Sequence, residues 1–151
     1  MPMLFFKCEG INVSEEVEFA HITLLYFGED EIKVQKEKLF QLLRKTVYDL
    51  RQKSITSIPC KVNGKVTFMN PDSPPVFALL VDGSLFPRLR VIIEDNMKFL
   101  DIPVVSEHGF VPHISLKYGE PHPEEDSYIG KEFNFDTLSL IIGDNVYDMK
   151  I

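Results

Sequence analysis

The sequence has no apolar run long enough to cross a bilayer. The longest, such as the one around residues 77–81, fall far short of the roughly 20 residues that a helical span needs. It has no cysteine framework either. Cys8 and Cys60 are its two cysteines, they lack metal-type spacing, and they read as reduced core thiols of a cytoplasmic protein rather than as a disulfide. A basic surplus is also missing. Lys and Arg number 16 against 23 Asp and Glu, a formal net charge of -7. That excludes a broad groove for duplex DNA, which needs cations for its phosphates, but not a small phosphate ligand in a locally polar pocket. No Pro-, Gly- or Ser-rich linker divides the chain, so residues 1–151 are expected to form a single domain. The start, Met-Pro-Met-Leu-Phe-Phe-Lys, lacks the charged leader, long apolar stretch and cleavage site of a signal peptide. The expectation is a cytoplasmic monomer with no membrane partner, in which the sequon Asn12-Val13-Ser14 is without consequence.

What is present is an ordinary globular composition, 44% hydrophobic and 26% charged. Apolar periodicity alternates between strand-like and helix-like stretches. Residues 4–8 and 19–27 read as strands, the second ended by Gly28 and an acidic turn. From Glu31 to about Lys53, Leu39, Phe40, Leu43, Val47 and Leu50 recur at three and four, which predicts a long amphipathic helix. Residues 58–62 and 65–69 are predicted as two strands joined by an Asn63-Gly64 hairpin turn. Residues 70–75 form a turn, and 76–81 a buried strand. Ser84 is the expected N-cap of a second helix, with Pro87 in its first turn, running to about Leu100. Residues 111–118, 133–142 and 146–151 complete the strands. The order, roughly ββα-βββ-α-βββ, predicts an α+β fold with a largely antiparallel sheet.

The chain also repeats itself. Residues 21–26 read His-Ile-Thr-Leu-Leu-Tyr, and residues 113–118 read His-Ile-Ser-Leu-Lys-Tyr. Side chains two apart on a strand share a face, about 6.5 to 7 Å apart. His21 therefore sits with Thr23, and His113 with Ser115, while the intervening apolar residues cover the other face. Facing each other, the two couples make a box of two imidazoles and two hydroxyls. An imidazole, with an ordinary pKa of roughly 6.5, takes or gives a proton near neutral pH. Two can divide the work at a phosphodiester, one deprotonating the attacking oxygen and one protonating the departing oxygen. Thr23 and Ser115 can donate to the non-bridging oxygens. No metal and no cofactor is required.

These paired motifs, each in an apolar strand, resemble those of the two-histidine (2H) phosphoesterase superfamily, which includes bacterial 2′-5′ RNA ligase-like proteins and cyclic phosphodiesterases. The resemblance covers the order of elements along nearly the whole chain, and its specificity rests on the two short motifs. It implies a bilobal duplicated fold, with two mostly antiparallel sheets flanked by helices and a central cleft between pseudo-symmetric lobes. It also implies that His21, Thr23, His113 and Ser115 are catalytic. The expected partner is a small nucleotide or oligonucleotide: a 2′,3′-cyclic phosphate, a 2′-5′ oligonucleotide or a cyclic oligonucleotide signal. A non-catalytic nucleotide or RNA-end binding module on the same fold is the alternative.

Other residues carry two readings each. Lys117, expected on the face of His113 and Ser115, is either a cation for a substrate phosphate or a solvated strand-end lysine. Tyr26 and Tyr118 are candidates for base stacking or core residues, and strict alternation, which sends them to the core side, favours core. Phe5, Phe68 and Phe110 are packing residues or the lining of a base pocket, packing being favoured. His108 and His122 are read as structural or rim residues, and a zinc site from the histidines is not expected. The runs around residues 15–18 and 124–126 are solvated loops or flaps.

Overall fold

The structure, a computed structural model, describes residues 2–27, 36–103 and 110–151. Its strands are β1 (Met3–Lys7), β2 (His21–Tyr26), β3 (Ile58–Asn70), β4 (Ser73–Asp82), β5 (His113–Tyr118), β6 (Glu132–Phe135), β7 (Thr137–Ile142) and β8 (Asn145–Lys150). Among the described residues, two α-helices, α1 (Lys36–Gln52) and α2 (Phe86–Phe99), join them. The strands form one eight-stranded sheet in the order β6-β3-β4-β5-β2-β1-β7-β8, and every described pairing is antiparallel. This is the expected α+β class. Where two sheets were expected there is one, because the motif strands β2 and β5 pair at Ile22 and Ile114 in its middle.

Helix periodicity and strand alternation agree on a common core. Leu39, Leu42, Leu43, Val47 and Leu50 of α1 and Phe86, Leu89, Ile92, Ile93 and Met97 of α2 are buried. They join one cluster with Leu4, Phe6, Ile22, Leu24, Leu79, Ile114, Leu116, Leu138 and Leu140 from the sheet. Where the two helices meet, the buried Asn96 amide donates to the Thr46 hydroxyl (3.3 Å), so neither polar group is left unpaired. Phe5 and Ala78 are also buried but stand outside this cluster, because alternation turns them to the sheet's other face. Cys8 and Cys60 are buried and unbridged, and burial pushes the Cys60 thiol up to about 12.

Three boundaries differ from expectation. Asn63-Gly64 is not a hairpin turn. β3 runs straight through it, and the register slips by one residue between Val62 and Gly64, so a strong local turn signal becomes a bulge. Pairing on both sides of β3 outweighs turn propensity there, since Val62 also exchanges backbone hydrogen bonds with Gly130 and Lys131. The turn comes instead at residues 71–72, where the Asp72 N–H donates to the Asn70 side chain (3.2 Å). The segment 133–142 is two strands rather than one. β6 pairs with β3 and β7 with β1, so the chain must leave one half of the sheet for the other at Asp136. Finally, α2 starts without a side-chain cap: Leu85 occupies that position and the Phe86 N–H donates to the Gly83 carbonyl. Ser84 does not cap it. Pro87 lies in the first turn, as expected.

Candidate active site

The middle of the sheet is where the repeat converges. Because β2 and β5 run antiparallel with Ile22 opposite Ile114, the register sets His21 across from Ser115 and Thr23 across from His113. The isoleucines point into the core, so the flanking residues take the opposite face, and all four are half-buried there. Each imidazole thus faces the other motif's hydroxyl. The two histidines lie on the diagonal, where sheet neighbours are about 7 to 8 Å apart. One phosphate group fits between rings so placed.

Both imidazoles are held in the same way. His21 Nδ1 is 2.9 Å from the carbonyl of Phe19, and His113 Nδ1 is 2.8 Å from the carbonyl of Val111. A carbonyl only accepts, so Nδ1 carries the hydrogen in each ring. That fixes the tautomer and leaves Nε2 with the reactive lone pair. Aromatic rings brace both. Phe19 and Phe5 lie 4.8 and 5.8 Å from the His21 ring, and Phe68 lies 4.6 Å from that of His113. Phe5 and Phe68 therefore pack against the imidazoles, whereas Phe110 packs against Phe86 and Arg90 of α2. The Thr23 hydroxyl donates only to the weak acceptor Met3 Sδ (3.7 Å). That of Ser115 has no hydrogen bond among the described residues. Both are available to another acceptor.

Burial is the main force on the His21 proton and lowers its pKa. The Phe19 carbonyl opposes this, and the charge of His113 lowers it further. Neutral His21 is therefore favoured in the folded chain. Unfolding restores a histidine of pKa roughly 6.5, which binds a proton more readily. The stability contributed by keeping His21 neutral is thus complete above about pH 6.5 and is lost as pH falls through the lowered folded value. Urea unfolding of His21→Gln should accordingly lose less stability than wild type on acidification across this window. An unchanged slope would contradict it.

A second feature repeats with the motif. β2 carries one extra residue between Thr23 and Leu25 relative to β1, and β5 carries one between Ser115 and Lys117 relative to β4. Both are β-bulges one step past the hydroxyl, and a bulge re-aims the side chains beyond it. Leu25 pairs with Leu4 and Lys117 with Phe77, which puts both on the face opposite the histidines. The same-face expectation for Lys117 therefore does not hold. Its ammonium pairs with Glu120 (2.8 Å), which raises its pKa. Tyr26 and Tyr118 pair with Met3 and Val76 and are exposed, 47% and 40%. They are not core residues.

The acidic segment read as a solvated loop or flap has its glutamates exposed, and it also borders β5. The N–H and hydroxyl of Ser14 both donate to the bulged Leu116 carbonyl (3.0 Å each), and the Glu16 carboxylate accepts from the Tyr118 N–H (3.3 Å). These bonds fill the edge that β2 leaves beyond the Ile22–Ile114 pair. Among the other histidines, His108 lies outside the described residues. His122 is buried and accepts the Glu124 N–H on Nδ1 (3.1 Å), a structural turn contact. No three His, Cys, Asp or Glu side chains group as a metal site among the described residues.

No protein-family profile matches the sequence, and no curated protein matches it. Solved structures do. TT0787 of Thermus thermophilus matches with a TM-score of 0.60 at 16% identity, over 99% of this chain and 94% of that one. Usb1 of Kluyveromyces marxianus matches with 0.58 at 11% identity, over 99% and 97%. LigT of E. coli, in a complex with 3′-AMP, matches with 0.52 at 16% identity, over 100% and 96%. A further structure of the Kluyveromyces protein holds uridine monophosphate. All are two-histidine phosphoesterases. From end to end, this chain has the two-histidine phosphoesterase fold.

Proposed function

We propose that the chain is a metal-independent phosphodiesterase that cleaves an RNA-type phosphodiester: a 2′,3′-cyclic phosphate, a 2′-5′ oligonucleotide or a cyclic oligonucleotide signal. The observation that carries this reading is the twofold one at the imidazoles. Each donates its Nδ1–H to the carbonyl two residues earlier, and each keeps Nε2 for a proton on the face that also holds Thr23 and Ser115. The nucleotides bound to LigT and Usb1 support a small nucleotide ligand on this fold. A single domain of two pseudo-symmetric lobes, cytoplasmic and monomeric, completes the reading. The recurrent bulges support the pseudo-symmetry.

The lowered pKa of His21 supports one division of the roles. His21, kept neutral by burial, is the base: its Nε2 takes the proton of the attacking water or ribose 2′-hydroxyl as the new P–O bond forms. His113 is the acid, giving the proton on its Nε2 to the departing oxygen as the old P–O bond breaks. Thr23 and Ser115 donate to the non-bridging oxygens, whose charge is concentrated in the transition state.

The test is a panel of 2′,3′-cyclic nucleotides, 2′-5′ oligoadenylate and cyclic di- and trinucleotides, incubated with EDTA, with products identified by mass. Turnover of at least one class, with a bell-shaped pH–rate profile, is expected. Thr23→Ala and Ser115→Ala should each lower kcat by up to roughly 10²- to 10³-fold, as for other oxyanion donors. Nucleotide binding without any turnover would replace this reading with that of a binding module.

A further inference from the structure

The two motif strands match, but their outer neighbours do not. Two rows of side chains cross the histidine face. One runs Lys7, His21, Ser115, Ala78, and the other runs Phe5, Thr23, His113, Leu80. The repeat relates the rows end for end, so Lys7 beside His21 answers Leu80 beside His113. Lys7 is exposed, and Leu80 is half-buried. Cross-strand partners lie about 4.5 to 5.5 Å apart at Cβ, so the flexible four-carbon arm of Lys7 can bring its ammonium alongside the His21 ring. No carboxylate pairs with that ammonium among the described residues. On the other side, Lys61 is two strands further out than His113 and faces Asp82 across the ladder. The box is therefore cationic at its His21 side and apolar at its His113 side.

The surroundings of Lys7 say where an anion belongs. Away from His21, a cavity of about 580 Å³ holds Lys7 and Lys131, but also Glu9, Glu132, Asp136 and Asp148. Its carboxylates outnumber its lysines and repel a phosphate. Toward His21, Lys7 meets only the imidazole and the hydroxyls of the box. In the mechanism above His21 is the base, so the ribose that supplies the attacking hydroxyl lies on this side, with its 5′ carbon.

We infer that Lys7 binds a second phosphate, the one on the 5′ carbon of the attacking nucleoside, so that a linkage flanked by a 5′ phosphate, in an oligonucleotide or a ring, is preferred to one flanked by a free 5′-hydroxyl. The inference rests on the phosphodiesterase reading and narrows it. A nucleoside 2′,3′-cyclic phosphate with a free 5′-hydroxyl leaves Lys7 unused.

The experiment compares wild type, Lys7→Gln and Lys7→Arg on adenylyl-adenosine, linked 2′-5′ and 3′-5′, in three forms: unphosphorylated, 5′-phosphorylated, and phosphorylated at the opposite end. Wild type should favour the 5′-phosphorylated form by roughly 10-fold in kcat/KM, the low end of what a hydrogen bond to a charged group contributes, chiefly through KM. Phosphate at the opposite end should add little, because Leu80 stands there. The 5′ preference should shrink as ionic strength rises. Lys7→Gln should bring the 5′-phosphorylated form down to the level of the unphosphorylated one, and Lys7→Arg should keep the preference. Dissociation constants for the same panel, measured on His113→Ala protein so that nothing turns over, should rank the three forms in the same way. Lys7 is exposed, so folding should survive its replacement, which circular dichroism checks. No 5′ preference in wild type, a preference that survives Lys7→Gln, or equal losses on all three forms would overturn the inference. Turnover that needs the histidines but shows no dependence on Lys7 defeats only this inference, whereas turnover that ignores the histidines defeats the phosphodiesterase reading as well.

Discussion

Replacing His21 or His113 with alanine should lower kcat by roughly 10²- to 10⁴-fold, the range that positioned acid–base groups contribute, while leaving the protein folded. The expectation comes from how the rings are held. Each is half-buried and tied through Nδ1 to one carbonyl, so removal costs one hydrogen bond and some packing against Phe19 or Phe68. In the proposed mechanism the chemistry loses far more, because each Nε2 serves a different oxygen of the same phosphodiester. The two losses should not add: once one half of the proton relay is gone, the other half has less to assist. The limbs of the pH profile should also separate. In His21→Ala the acidic limb should disappear, because the base that must be deprotonated is gone. Steady-state kinetics over pH on both single variants and the double variant measure all of this.

Ile114→Ala should destabilise the fold by about 2 to 5 kcal/mol, the usual range for removing a buried branched side chain. Ile114 and its partner Ile22 are both fully buried in the cluster under the helices. They are also the described pairing between β2 and β5, so the cavity opens at the join between the two halves of the sheet. A void at an ordinary core site weakens packing alone. At this one the motif strands also lose what sets their relative register, so kcat should fall even at temperatures where the variant is folded. Ile114→Val, which keeps the branch, should cost only about 0.5 to 1.5 kcal/mol and retain activity. Urea denaturation with parallel assays tests this. A loss below about 1 kcal/mol in Ile114→Ala would mean that the join is held elsewhere.

The repeat was the most legible part of the sequence because it is written in side-chain identity. His21, Thr23, His113 and Ser115 sit together on one face as alternation predicts, since two residues on a strand always share a side. The helices were legible for the same reason, their apolar spacing being complete within each segment. What was not legible depends on partners distant in the chain. The bulges at Leu24 and Leu116 have no local signature: neither Gly nor Pro marks them, and they exist only relative to β1 and β4. They reverse the faces that strict alternation gives Tyr26, Tyr118 and Lys117. Asn63-Gly64 is the opposite case, a genuine turn signal that lies inside a strand paired on both sides. The role of Ser14 and Glu16 was hidden too, because the β5 edge that they bond to is open only where β2 diverges from it.

The most direct test of the account is a crystal structure with a bound non-hydrolysable dinucleoside phosphodiester, such as a phosphorothioate analogue. The expected result has Nε2 of His21 and Nε2 of His113 on opposite sides of one phosphorus, each within about 3.2 Å of a bridging or attacking oxygen position, with the Thr23 and Ser115 hydroxyls on the non-bridging oxygens. A phosphate bound anywhere else, or one reached by a single imidazole, would contradict it.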